Sequence, residues 1–165
     1  MTAAIPVPPA TNKKSNSTDR KSRRRHSREF ALQGIYQWRV TGGSIDFIEA
    51  QLRETDTFMT ADQPYFSDLL HGVLNNTAIL QERIQPCLDR PLDELSPVEF
   101  AILLISTYEL AHHPEIPYRA IINEAIELAK SYGSTDGYKY VNGVLDKLAV
   151  QLRAIEVAAR TQPKG

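Results

Sequence analysis

Apolar residues recur every three or four positions over most of the chain, a spacing that predicts helices rather than strands. Phe30, Ile35 and Trp38 open the first stripe, with Ser27 placed as its N-cap and Gly42-Gly43 as its end. Ser44 is positioned to cap a second helix over residues 45–54, in which Ile45, Ile48 and Leu52 share a face. From Asp62, followed by Gln63-Pro64, the residues Phe66, Leu69, Leu70, Val73, Leu74, Thr77, Leu80 and Ile84 trace one long amphipathic helix that ends before Pro86. A short turn over residues 90–94 leads to Ser96-Pro97, a second cap with proline behind it. The helix after it is apolar on nearly all sides as far as Ile105, so a central position is predicted for it.

Pro114 and Pro117 bracket a short extended connection. The next helix covers residues 118–132, with Ile121, Ile122, Ala125, Leu128 and Ala129 inward and Gly133 as its C′ residue. Ser134 or Thr135 opens the last helix, whose stripe is Val141, Val144, Leu145, Leu148 and Leu152. Gly143 falls in the middle of that stripe. A glycine there costs about 1 kcal/mol relative to alanine, which predicts a close approach by another helix backbone. No segment alternates with the two-residue period of a half-buried strand, so the expected fold class is all-α with about six or seven helices. Residues 1–22, rich in Pro, Ser, Thr, Asn and Lys, are expected to be a disordered leader. Residues 23–160 then form the helical domain and 161–165 a disordered tail.

Charge changes the picture more than composition does. The 165 residues carry 19 Lys+Arg and 20 Asp+Glu, a formal net charge of −1. Residues 1–28 hold eight basic side chains and one acid, a net +7, which leaves −8 on the remainder. A basic arm on an acidic body seeks phosphates or another acidic surface. The single cysteine, Cys87, excludes an internal disulfide and fits a reducing, cytoplasmic setting. No apolar run is long enough to span a bilayer, and no apolar stretch follows the N-terminal charges as in a secretory signal, so no membrane role is expected.

Catalytic signatures are missing. There is no G-x-x-x-x-G-K-[ST] loop and no G-x-G-x-x-G, so no phosphate cradle is announced. His26 lies in the basic arm, His71 on a helix face, and His112 and His113 are adjacent, so on a helix their side chains diverge by about 100°. No catalytic residue, no metal site and no cofactor are expected, and Cys87 reads as a small semi-buried hydrophobe. The arginine cluster is the informative feature. Arg23, Arg24, Arg25, His26 and Arg28 gather at the start of the first helix, where the macrodipole disfavours cations, so the cluster is not there for the helix. Guanidinium groups pair with phosphate and stack on bases, which suits single-stranded nucleic acid; the bland alternative is a solubilising tail. Tyr132, Tyr138 and Tyr140 flank the loop 133–137 with Lys139 among them, either as stacking platforms or as core-edge residues.

The stretch IPYRAIINEAIELAKSYGSTDGYKYVNGVLDKLA, residues 116–149, closely resembles the C-terminal signature of the bacterial transcription antitermination family NusB. RRRHSREFALQGIYQW, residues 23–38, is similar to that family's arginine-rich start, and YFSDLLHGV and LSPVEFAILLISTYEL fit the same pattern. The resemblance implies two small helical bundles packed roughly perpendicular. It implies binding of boxA-type single-stranded RNA together with NusE, a small-subunit ribosomal protein, within an RNA polymerase antitermination complex that serves ribosomal RNA operons. By motif position, Arg24, Arg25, His26 and Arg28 would form the RNA-facing arm, and Tyr132, Asp136, Lys139 and Tyr140 a second RNA-contacting region. Tyr36 and Glu99 match positions associated with NusE. Tyr132 and Tyr140 stand where phenylalanine is common, Gly137 where a less flexible residue is usual, and Pro91 where an apolar helix former is expected. Five phosphates neutralised by the arm would give a log K against log salt slope of about −3.5. A NusB-like domain also precedes some ribosomal RNA cytosine methyltransferases, but one cysteine and an end at Gly165 set the expectation of no such enzyme. A homodimer that masks the arginine face is the other expectation for the free protein.

Overall fold

Three helix starts are fixed by the side chains whose positions predict caps. Ser44 Oγ accepts from Phe47 N, an Asp62 carboxylate oxygen from Tyr65 N and Ser96 Oγ from Glu99 N, each at 3.1 Å. The structure is a computed structural model that describes the backbone of residues 13–161 and the side chains of residues 19–160. It contains α1 (Lys13–Thr41), α2 (Ile45–Arg53), α3 (Gln63–Asn75), α4 (Thr77–Ile84), α5 (Pro97–His112), α6 (Tyr118–Tyr132), α7 (Gly137–Leu152) and α8 (Ala154–Thr161). Short 3-10 turns lie at Phe58–Thr60, Gln85–Cys87 and Leu92–Glu94. Among the described residues there is no strand, and no helix is long and apolar enough to cross a membrane.

Two small bundles share α5. In the first, α1 packs on α2 and α3 around the edge-to-face rings of Phe30, Phe58 and Phe66, with centroids 5.0–6.4 Å apart. In the second, α4, α6 and α7 surround α5, and α8 packs on α7. Every residue from Phe100 to Ile105 is at most 2 % exposed, the central position its all-round apolarity predicts.

Several boundaries differ from expectation, each for a local reason. Ser27 is no cap. It is buried inside α1, its hydroxyl donates to Asp62 O at 2.7 Å, and the helix continues toward the N-terminus to Lys13. Residues 13–22 of the expected leader are therefore helical, while residues 1–12 and 162–165 lie outside the described residues. The long helix from Gln63 breaks at Asn76, where φ is −127°. Asn76 Nδ2 donates to Gly72 O at 2.8 Å and Thr77 Oγ1 to Val73 O at 3.0 Å, so side chains take carbonyls that the helix ladder would use. Gly42 and Gly43 end α1 with φ of 74° and 105° as predicted. Gly133 ends α6 in extended backbone instead, and what requires glycine there is Ala129 O, 2.7 Å from where a Cβ would lie. Neither Ser134 nor Thr135 opens α7, which starts at Gly137.

The second break, between α7 and α8, places Arg153 in the interior. Its Nε donates to Leu110 O at 2.8 Å, Nη1 to Ile116 O at 3.0 Å and Nη2 to His113 O at 2.8 Å. Glu156 completes the set at 2.7 Å. One guanidinium thus closes the C-terminal carbonyls of α5 and the connection to α6, where a cation also complements the helix dipole.

Candidate nucleic-acid interface

The arginine cluster of α1 is sorted by depth. Arg20, Lys21, Arg23 and Arg25 are exposed, and Arg24 and His26 are half-buried. Arg23 donates to Ala61 O at 3.3 Å. Arg24 lies 4.5 Å from the Tyr65 ring centroid and 3.9 Å from an Asp62 oxygen, and its Nε makes no hydrogen bond within the protein. His26 lines a shallow groove with Arg23, Met59 and Thr60. Arg25 is held by two hydrogen bonds to Glu124, at 3.0 and 2.9 Å. Burial pushes the Glu124 carboxyl up, but the hydrogen-bonded Arg25 and the charge of Arg28 outweigh it and hold the group below the usual carboxylate range.

Arg28, expected among the RNA-facing cations, faces inward. It is 5 % exposed and donates from Nε and Nη2 to Glu109, itself 1 % exposed, at 2.9 and 2.8 Å. The Tyr65 hydroxyl donates to the same carboxylate. Burial works against the Arg28 charge, yet the adjacent Glu109 raises its pKa further. This pair pins α1 to α5 inside the protein and offers no cation to solvent.

The second expected region meets the first through one bond. Tyr132 Oη donates to Glu29 Oε2 at 2.8 Å, joining the end of α6 to α1 across 103 residues of sequence. Burial, then Glu29, pushes the Tyr132 hydroxyl up to about 12, so it stays a donor at neutral pH. Asp136 and Lys139 are exposed and 3.4 Å apart. Tyr140 is half-buried beside the 87–90 segment, with the Arg90 guanidinium 4.1 Å from its ring centroid. Tyr138 sits between Lys130 and Lys139, at 5.0 and 5.9 Å.

Of the two expected partner contacts, Tyr36 is 41 % exposed and lies two turns along α1 from Glu29, on the same face. Glu99 is only 8 % exposed: its Oε1 accepts from the Ser134 hydroxyl at 2.8 Å and would stand 2.1 Å from a Cβ at Gly137. Gly137 is thus required by the Glu99 carboxylate, and Glu99 fixes the loop that carries Asp136 and Lys139. Gly143, by contrast, has no atom within 4 Å of where its Cβ would lie, so the close helix approach expected there is not found.

Asp46, Glu49 and His71 bring three potential metal-ligand atoms within 4.8 Å. Glu49 already pairs with Arg53 at 3.0 Å and shares a hydrogen bond with His71 at 3.1 Å, which ties α2 to α3. Glu29, Glu109, Glu124, Tyr65 and Arg90 escape a reading of the sequence alone. The trace of Glu109 and Glu124 is a carboxylate in a helical turn that is otherwise largely apolar, and Glu29 leaves none, since it follows the arginine cluster directly.

Fold and site together define a small all-helical protein whose cationic helix end adjoins an aromatic loop, an arrangement suited to nucleic acid. The chain belongs to the NusB family, whose sequence profile matches residues 25–150. It is 67 % identical over 133 residues to the transcription antitermination protein NusB of Nitrosospira multiformis, covering 81 % of this chain and 84 % of that one. Against the Nitrosomonas europaea protein it is 66 % identical over 148 residues, covering 88 % and 89 %. Among solved structures it resembles T. maritima NusB with a TM-score of 0.71, at 28 % identity and 82 % and 96 % coverage. A structure of antitermination factors NusB and NusE in complex with double-stranded RNA shares the fold, with a TM-score of 0.65 at 21 % identity and coverage of 76 % and 94 %. The family comprises transcription antitermination factors rather than enzymes.

Proposed function

We propose that this antitermination factor binds boxA-type single-stranded RNA jointly with NusE, inside an RNA polymerase complex that sustains transcription of ribosomal RNA operons. The observation that carries the reading is the Tyr132–Glu29 hydrogen bond of 2.8 Å, which makes the exposed end of the arginine cluster continuous with the α6–α7 loop. Arg24 and His26 at the surface of α1 supply phosphate attraction, Lys139 adds a cation, and Tyr132 and Tyr140 supply stacking. Arg25 contributes from its clamp on Glu124. Arg28 acts by holding α1 in place, and Asp136 by orienting Lys139. Tyr36 presents an aromatic surface to NusE, and Glu99 supports that contact through the loop it fixes. Unpaired bases are favoured over a duplex because stacking on tyrosine needs an open base face.

A mobility-shift titration of the full chain with NusE tests this on boxA RNA, a scrambled strand and the boxA duplex. The single-stranded boxA element should bind tightest. Equal affinity for boxA and scrambled RNA would reduce the protein to a nonspecific basic arm, and preference for the duplex would remove the stacking role.

A further inference from the structure

Gly143 is a cost without a return inside the protein. It is exposed midway along α7, has no positive φ, and a Cβ built on it meets no atom within 4 Å. A glycine in such a place lets something outside the chain approach the backbone closely. The space above it is a groove of about 240 Å³ between α7 and the 87–90 segment. Tyr140, Gly143, Val144 and Lys147 recur at helical spacing and form one wall, with Cys87 at the bottom and Asp89 opposite. Lys139 and Lys147 stand one turn to either side of Gly143. Arg90, over the Tyr140 ring at 4.1 Å, is held by Asp89 at 3.2 Å. Three cations, Lys139, Lys147 and Arg90, against two carboxylates, Asp89 and Asp136, leave this rim a net positive charge that favours an anionic occupant with an apolar, planar part.

We infer that the groove is a nucleotide site: one unstacked nucleotide of the bound RNA strand lies across Gly143, its base against Val144 and its phosphate between Lys139 and Lys147. The inference rests on the RNA-binding reading above and extends it past Tyr140. Because Arg90 already covers one face of Tyr140, an incoming base meets the guanidinium plane, which stacks on bases as readily as an aromatic ring does. Asp89 is an acceptor-only group and selects a base that carries an amino donor, as adenine, cytosine and guanine do and uracil does not.

Gly143→Leu tests the site, because its Cβ projects into open space at the groove and the change removes a helix-weakening glycine. In the full chain with NusE, on fluorescein-labelled single-stranded boxA RNA, affinity should fall about tenfold, the loss of one stacked base, while Tm stays level or rises. Gly143→Ala should fall between wild type and Gly143→Leu, and Lys147 should be protected from acetylation by the RNA. A purely structural role moves Tm and leaves affinity alone. Gly143→Leu binding equal to wild type, with wild type binding normally, overturns the groove site by itself. Failure of the wild type to bind RNA removes the RNA reading and the groove site together.

Discussion

Arg24 and Arg28 lie one helical turn apart and against the same ring, with guanidinium carbons 4.5 and 5.5 Å from the Tyr65 centroid. One is closed in by Glu109 and almost without exposure; the other keeps 30 % of its side chain in solvent and an Nε with no hydrogen bond in the protein. Identical chemistry four residues apart therefore serves two ends. The difference comes from α5, which delivers a buried carboxylate to the inner turn of α1, while the start of α3 offers the outer turn the Tyr65 ring and a half-buried carboxylate, Asp62, only at 3.9 Å. A run of arginines in sequence is thus a mixture of fastening and binding groups, and burial decides which is which.

The sharpest way to break this comparison is at the inner residue. Arg28→Ala leaves the Glu109 carboxylate buried and unpaired, which should cost about 3–5 kcal/mol in urea unfolding. The affinity of the remaining folded protein for RNA should change less than that of Arg24→Ala. A joint Arg28→Met, Glu109→Leu replacement removes both charges and should recover most of the stability. Loss of RNA affinity in that stable double variant, to the extent seen for Arg24→Ala, would return Arg28 to the binding surface.

Next in size is the aromatic side of the interface. Tyr140→Ala should cost about 1–3 kcal/mol in RNA binding, measured by fluorescence anisotropy, and Tyr140→Phe much less, since the ring with the Arg90 guanidinium it carries, and not the hydroxyl, does the stacking. Equal losses in the two variants would shift the role to the hydroxyl and its neighbour Asp89.

The outer arginine and the salt dependence follow. With Arg28 removed from the expected set of five phosphate contacts, four remain, and the log K against log salt slope should be near −2.8 instead of −3.5. Arg24→Ala should flatten it by about 0.7 with stability nearly unchanged. An unaltered slope would mean that Arg24 spends its charge on Asp62 and Tyr65.

Helices were legible wherever local chemistry closed on itself. Ser44, Asp62 and Ser96 cap because a hydroxyl or carboxylate needs only the amide three residues ahead. The apolar run after Ser96 predicts its own central place. Ser27 misled because a small polar residue before an apolar stripe is a cap by pattern, whereas its hydroxyl here serves Asp62 O, supplied by the start of α3. Asn76 and Arg153 break helices through contacts that a hydrophobic stripe does not register, and the stripe continues across both. At the site, the positions of the tyrosines and arginines could be read from the chain. Their division of labour could not, because Glu109 and Glu124 reach the arginines of α1 from α5 and from α6, and Glu29 on α1 takes the hydroxyl of Tyr132 from α6.

Arg25 falls between the two extremes, exposed on one side and clamped by a mostly buried carboxylate on the other, and its clamp should show as the smallest effect, in acid. The Glu124 carboxyl titrates below its ordinary value in the folded protein, so folding binds fewer protons there than the unfolded chain does. Its stabilising contribution is therefore complete above the unfolded value of about 4.3 and is lost as pH falls through the lower folded value. Exposure of Arg25 keeps the contribution to no more than about 1 kcal/mol. Glu49 and Glu156 titrate in the same direction, so the wild-type curve alone does not isolate it. Subtracting the stability–pH curve of Glu124→Gln does: the difference between the two proteins should be flat from pH 7 to about 5 and shrink below about 4.3. Parallel curves throughout would mean that the clamp is ordering Arg25 without stabilising the fold, and would place Arg25 with Arg24 on the binding side of the comparison.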